Sequence, residues 1–165
     1  MKTKKDNIKN WNILFAGTGG QGVLTASEVV GWAALFDGFN VKKSEVHGMA
    51  QRGGSVESHL RFGTEVFSPL IPKGKVDFLV SFHKDERERM KDFLKKGGTD
   101  LIDALDHAKH CVKDSKFINT YLLGVLSARL PISEQSWMLA LEKAFGQKRL
   151  DENKSVFAQG RSWNK

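Results

Sequence analysis

A short apolar run that passes through a glycine-rich turn directly into a helix leaves few folds open, and this chain begins with one. Trp11 to Ala16 (WNILFA) reads as a buried strand, and Gly17 to Gly22 (GTGGQG) as a tight turn. Val23 to Phe36 then carries Val23, Ala26, Val30, Ala33 and Ala34 at helical spacing, closed by Asp37-Gly38. Phe39 to Val46 follows as a second, more polar strand. Strand, turn, helix and strand in this order start a βαβ unit and imply a parallel sheet.

The turn satisfies G-x-G-x-x-G in the setting that dinucleotide binding requires, where glycines let backbone N–H groups approach an anion at a helix N-terminus. The acid that would hold a ribose diol is due about 20 residues further on. That stretch reads Val41-Lys42-Lys43-Ser44-Glu45, with Glu45 a marginal match and two lysines better suited to the extra phosphate of NADP. An NAD(P)-binding oxidoreductase therefore stays open as an alternative. So does a purely structural turn that packs the helix tightly on the strand.

Ser55 to Phe62 alternates, with Val56, Ser58, Leu60 and Phe62 on one face and Glu57, His59 and Arg61 on the other, which predicts a half-buried strand. Gly63-Thr64 can turn it back into Glu65 to Leu70 as a hairpin, with Pro69 and Pro72 near an edge. Val76 to Phe82 reads as a buried strand. Lys84 to Lys96 reads as a charged helix showing Met90, Phe93 and Leu94 to the core and capped by Gly97-Gly98. Leu101 to Ala104 is expected to be a brief strand leading into a short helix to about Val112. Thr120 to Leu130 should be a buried helix, with Gly124 and Ala128 allowing close packing. Ser133 is a candidate N-cap for a stripe of Trp137, Met138, Leu141, Ala144 and Phe145 ending at Gly146, and a polar helix near 151–159 closes the chain.

The fold class predicted is α/β: three-layer and Rossmann-like, a mostly parallel sheet with an antiparallel hairpin and helices on both faces. Residues 11–165 read as a single domain, and 1–10 as a disordered lead. The lead lacks the apolar stretch of a signal peptide, which makes a cytoplasmic location the expectation. No apolar run approaches a membrane span. The net charge is +7, but the lysines are scattered and no nucleic-acid-binding motif is visible; a basic face for an acidic partner or a phosphorylated ligand fits that charge. Cys111 is the single cysteine, so the chain can form neither an internal disulfide nor a four-cysteine metal or iron–sulfur site. Any redox centre it serves must be held elsewhere.

The segment Ser44-Glu45-Val46-His47-Gly48-Met49-Ala50-Gln51-Arg52-Gly53-Gly54-Ser55-Val56 brings an acid, an imidazole, an amide and a guanidinium into one glycine-containing loop. Arg52, beside Gly53, is free to reach a carboxylate or phosphate. The competing reading is a loop whose polar groups satisfy one another.

This segment, the glycine turn with Gln21-Gly22, Ser68-Pro69-Leu70-Ile71-Pro72 before Val76-Asp77, and Asn119-Thr120-Tyr121-Leu122-Leu123-Gly124 together resemble the gamma-type subunits of 2-oxoacid:ferredoxin oxidoreductases. Among them the chain is similar to the small beta subunit of the indolepyruvate type. The resemblance implies oxidative decarboxylation of 2-oxoacids to acyl-CoA, with electrons passing to ferredoxin through the complex. It implies a larger partner subunit carrying thiamine diphosphate, Mg and iron–sulfur clusters, with coenzyme A as a shared substrate. This chain alone would hold no cofactor, supply no catalytic acid or base and bind no metal, and could pair as a homodimer when isolated. Carried onto matching positions, the ligand-facing candidates are Gly17, Gly19, Gly20, Gln21, Gly22, Glu45, His47, Met49, Gln51 and Arg52, with the turn's backbone and Arg52 addressing a coenzyme A phosphate. After Lys96-Gly97-Gly98-Thr99 the family has a further strand and long loop that this chain lacks. Either that strand is peripheral here, or Leu101 to Ala104 takes its place. The shortening keeps a third alternative in view, a non-catalytic paralogue acting as an interaction protein. The central expectation is that loops 17–22 and 47–54 meet at the carboxyl edge of a parallel sheet.

Overall fold

The computed structural model describes residues 9–48 and 54–164. Five strands, β1 (Asn10–Thr18), β2 (Asn40–His47), β3 (Ser55–Gly63), β4 (Val76–Ser81) and β5 (Leu94–Asp100), form one sheet in the order β2-β3-β1-β4-β5. Six α-helices accompany them: α1 (Val23–Phe36), α2 (Lys84–Met90), α3 (Ile102–Cys111), α4 (Ile118–Ser127), α5 (Glu134–Phe145) and α6 (Leu150–Arg161). β4 is parallel to β1 and to β5, while β3 runs antiparallel to both β1 and β2. Four strands thus share one direction and β3 opposes them, giving the α/β fold expected from the sequence.

Three details differ from the sequence reading. β1 and β2 flank α1 and point the same way, but β3 lies between them, so the opening βαβ unit is split. The antiparallel hairpin is β2–β3 and not a return over 65–70. Both sides of β3 are already paired, so no edge remains for a returning strand. Residues 65–72 instead run as an irregular strap, held where Arg61 donates to the Ser68 carbonyl at 2.9 Å and the Ile71 N–H donates to His59 Nδ1 at 3.2 Å.

The third difference concerns 84–104. The charged helix ends at Met90, one 3-10 turn follows over Lys91–Phe93, and Leu94–Asp100 becomes edge strand β5. Gly97-Gly98 is therefore not a helix cap. Gly97 takes φ +80°, and a β-carbon on Gly98 would sit 2.9 Å from the Val76 carbonyl oxygen, so both glycines serve the irregular pairing of β5 with β4. The exposed Lys95 and Lys96 protect this edge from further pairing. Leu101 to Ala104 is not a strand but the entry to α3.

Alternation along β1 sends Ile13 and Phe15 to one face, and Leu14 and Ala16 to the other. On the first face these residues meet Leu60, Phe62, α1 and the α3–α6 group around the fully buried Trp137. The second face is covered by α2 and the strap, through Met90 and Ile71. Helices therefore lie on both faces, unequally. Ser133 caps α5 by accepting from the Ser136 N–H. Asp37, at the end of α1, accepts from both the Ser133 and Ser136 hydroxyls, which ties the two helices together. Gly124 lets α4 cross α6 at contact distance. A β-carbon there would lie 2.1 Å from the Phe157 carbonyl oxygen, and one on Gly160 would lie 2.0 Å from that of Tyr121.

Candidate functional site

β1, β2 and β4 all end at one edge of the sheet, and β3 begins there, so the glycine turn, the stems of loop 48–54 and Phe82 converge at the carboxyl ends of the parallel strands. The contact is direct. The Gly19 N–H donates to the Gly54 carbonyl at 3.1 Å, and the Gly48 N–H donates to that of Ser55 at 2.7 Å. The expected meeting of the two loops is therefore present at the level of turn and stems. Met49, Gln51 and Arg52 lie outside the described residues.

The turn divides into packing and open positions. A β-carbon on Gly17 would stand 2.7 Å from Val23 Cγ2, and one on Gly22 would stand 2.5 Å from Asn119 Nδ2. Both glycines permit close packing. Gln21 is held inside the fold: its Oε1 accepts from the Thr18 N–H at 2.8 Å, and its Nε2 donates to the Phe82 carbonyl at 3.1 Å. This bracket links the ends of β1 and β4. The Gly19 N–H is taken by Gly54 and the Gln21 N–H by the Thr18 carbonyl. Gly20 is different. It shares a positive φ with Gly22, +88° against +81°, a conformation that favours glycine, but has open space where a side chain would project. Among the described residues the N–H groups of Gly20 and Gly22 have no hydrogen-bond partner, and α1 begins without a side-chain cap. Free N–H groups at the positive end of a helix suit an anion.

Glu45 and His47 lie on the α1 side of β2. Glu45 accepts from Lys43 at 2.8 Å and faces His47 Nε2 at 3.8 Å. The Lys43 ammonium is the main reason that the Glu45 carboxyl titrates below its ordinary value. His47, half exposed, lines a cleft of about 450 Å³ with Gly20, Gly22, Leu24 and Thr25. With β3 inserted, β1 and β2 stand two strand spacings apart, about 10 Å, so Glu45 is not beside the turn as a ribose-binding acid would be.

The second face carries a buried polar chain that anchors the far stem of loop 48–54. Ser55 donates to Glu86 at 2.6 Å, Arg89 grips Glu86 at 2.7 and 2.9 Å, and Arg89 also reaches Glu57 at 3.1 Å. His59 Nε2 lies 3.5 Å from Glu57. Because His59 Nδ1 accepts from Ile71, its proton sits on Nε2, toward that carboxylate. This His59 hydrogen bond is the leading cause of the lowered Glu57 pKa, with the Arg89 charge acting in the same direction. The chain fixes where β3 starts and hence where the loop is delivered.

A larger cleft, about 660 Å³, opens on the other flank of the turn, between Gly20–Gly22, the end of α3 and the start of α4. Lys109, Lys113, Lys116 and Asn119 line it. The sequence reading passed over the lysines as scattered, yet their spacing, four residues and then three, was visible as a cluster around the end of one helix.

The profile of the pyruvate ferredoxin/flavodoxin oxidoreductase family matches residues 12–107 and 101–163. The chain belongs to this family. Indolepyruvate oxidoreductase subunit IorB of Thermococcus kodakarensis is 34% identical over 192 residues, covering 93% of this chain and 95% of the relative. The subunit of the same name from Pyrococcus horikoshii is 50% identical over 91 residues, 55% of this chain and 45% of the relative. The gamma subunit of a keto/oxoacid ferredoxin oxidoreductase from Geobacter sulfurreducens has the same fold, with a TM-score of 0.74 at 21% identity over 92% of this chain and 94% of that one. A 2-oxoglutarate:ferredoxin oxidoreductase from Magnetococcus marinus, solved with 2-oxoglutarate, coenzyme A and succinyl-CoA, matches at a TM-score of 0.77 and 23% identity, covering 93% of this chain and 31% of that one. Since 93% of 165 residues falls well short of 192, the T. kodakarensis relative has segments that this family member lacks. The two profile segments meet at 101–107, just beyond β5.

Proposed function

We propose that the chain is the accessory, gamma-type subunit of a 2-oxoacid:ferredoxin oxidoreductase acting on indolepyruvate or another aryl pyruvate. It works beside a larger subunit that carries thiamine diphosphate, Mg and iron–sulfur clusters and hands electrons to ferredoxin. The observation that carries this reading is the match to an indolepyruvate oxidoreductase subunit along nearly its whole length. The convergence of the glycine turn with the stems of loop 48–54 supports it. Thiamine diphosphate on the partner supplies the decarboxylation chemistry. The contribution of this chain is to bind and orient: free N–H groups at Gly20, Gly22 and the first turn of α1 meet a coenzyme A phosphate, and Arg52 reaches it from the facing loop. The Gln21 bracket and the Ser55–Glu86–Arg89 chain hold the two halves of that site in register. Among the described residues no helix is long and apolar enough to cross a membrane.

An affinity pull-down from the native source, followed by iron and thiamine analysis, tests the assignment. The expected product is a brown complex containing both, while the isolated chain is colourless and inactive. A colourless partner, or none, overturns the reading in favour of an interaction protein. In the complex, Arg52→Ala should raise the apparent KM for coenzyme A about ten-fold with assembly intact, the scale of one charge-assisted contact. An unchanged KM removes Arg52 from the site, and dissociation makes it a subunit contact. A change in reduced-nicotinamide fluorescence on adding the isolated chain would instead favour the dinucleotide alternative.

A further inference from the structure

The two edges of the sheet are built differently. At β5 the pairing is irregular, Gly97 takes φ +80°, and Lys95 and Lys96 stand exposed, all of which discourages a further strand. At the other edge β2 pairs with β3 without interruption from Asn40 to His47 and contains neither glycine nor proline. Among the described residues no strand pairs with its outer side. The Gly48 N–H donates to the Ser55 carbonyl in the same register as this ladder, so the even-numbered residues of β2 turn their backbone groups toward β3. Val41, Lys43, Glu45 and His47 therefore present their N–H and C=O groups outward. Such a row is a template for another strand.

The side chains say which strand fits. Edge-to-edge pairing about a two-fold axis keeps both α1 faces on one side of the joined sheet, so outward residues pair with outward residues. An axis at Lys43 sets Lys43 against Lys43, and an axis at Glu45 sets Glu45 against Glu45; like charges directly opposed are unfavourable. An axis at Ser44 sets Lys43 against Glu45 twice and Val41 against His47 twice. It also lays the stem of Lys42 along Val46, which is exposed on the opposite face. Axes nearer either end pair shorter stretches of β2. The ion pairs made at Ser44 extend a series already present within the chain, where Lys43 meets Glu45 at 2.8 Å and Glu28 at 3.8 Å. Because α1 lies over β3, this pairing sets the two α1 helices three strand spacings apart, about 14 Å. Packed helices ordinarily sit about 8–10 Å apart, so the gap takes large side chains. The exposed Trp32 and Leu35 line the groove between α1 and β2 on that side.

We propose that β2 pairs antiparallel with β2 of a second copy of this chain, about a two-fold axis at Ser44, so that one sheet runs through both copies. The proposal goes beyond the subunit assignment and uses none of the groups given there to coenzyme A.

Sedimentation equilibrium of the full chain should show a reversible dimer. Lys43→Glu or Glu45→Lys should raise its dissociation constant about ten-fold or more, because two cross-strand attractions become repulsions, and Lys43→Glu/Glu45→Lys should restore it. Disulfide trapping reads the register directly, and it stands even if a charge variant folds poorly. In a Cys111→Ser background, Ser44→Cys should give a covalent dimer under mild oxidation, since directly opposed residues without mutual hydrogen bonds have Cα atoms ~4.5 Å apart, within disulfide reach. Lys43→Cys and Glu45→Cys should not, because each would lie about 8 Å from its own copy. A chain that stays monomeric, a dimer indifferent to the charge changes, or cross-linking at 43 or 45 in preference to 44 overturns the proposal. Loss of iron from the pull-down with Lys43→Glu also overturns it, by giving this edge to the larger subunit. A monomeric wild-type chain that still returns an iron-containing complex removes the pairing and leaves the subunit reading; a trapped dimer that returns no iron does the reverse.

Discussion

On one face of the sheet Ile13, Phe15, Leu60 and Trp137 sit in an apolar core shared with five helices; on the other, Glu57, His59 and Glu86 are almost as buried beneath one short helix and an irregular strap. The first face is held by area removed from water, which is non-directional and tolerant of sequence change. The second has a smaller apolar cluster around Leu14, Leu79 and Met90 and adds directed contacts between charged groups, each needing its partner in place. That division suits their positions. The apolar face carries the mass of the fold, while the polar face fastens the start of β3 to α2 and so aims the loop that follows β2. A single strand, β3, serves both, with Val56, Leu60 and Phe62 turned to one side and Glu57 and His59 to the other.

The contrast can be broken in graded steps. Trp137→Ala strikes the apolar face hardest. It should cost about 3–5 kcal/mol in denaturant unfolding, and a loss under 1 kcal/mol would mean that the helical layer relaxes into the cavity. Gly124→Ala drives a methyl into the Phe157 carbonyl and should cost about 1–3 kcal/mol by forcing α4 and α6 apart; a neutral result would mean that the crossing is looser than described. On the polar face, Arg89→Ala leaves Glu57 and Glu86 without their shared cation. Because the guanidinium is 41% exposed, the expected loss is smaller, about 1–2 kcal/mol. Its signature should be faster hydrogen exchange at Ser55 and Val56, with α5 amides unchanged. Equal changes in both places would erase the distinction between the faces. The smallest effect is pH-dependent. Glu57 titrates below the ordinary 4.5, chiefly through His59, so its contribution is fully present above about pH 4.5 and is lost as pH falls through the lower folded value. Glu57→Gln should flatten that part of the stability–pH curve, and an unchanged slope would show that other carboxylates dominate it.

The misreadings at the sequence level fall mostly on the polar face and the sheet edge. β3 was expected to be half-exposed because Glu57, His59 and Arg61 are polar, yet Glu57 and His59 are buried, since Arg89 and the Ile71 N–H supply what water would have given. Residues 94–98 read as the end of a helix with a glycine cap, because local spacing cannot register that β4 offers an open edge where Leu94 pairs beside Val76. The lysine cleft is not legible in the sequence because Lys109 and Lys113 come to line one cleft with Gly20 only through the packing of α3 beside the turn.

What the sequence alone determined is whatever depends on neighbours along the chain. The strand, glycine turn and helix over 11–36 are of this kind, as is the Ser133 cap, where spacing and backbone freedom act within a few residues. The motif over 44–56 likewise carried the family. What only the tertiary structure decided is which strands lie side by side and which buried charges find each other: β3 between β1 and β2, the Ser55–Glu86–Arg89–Glu57 chain, and the cleft beside the turn. Those outcomes rest on contacts between residues dozens of positions apart, and a local pattern holds no record of them.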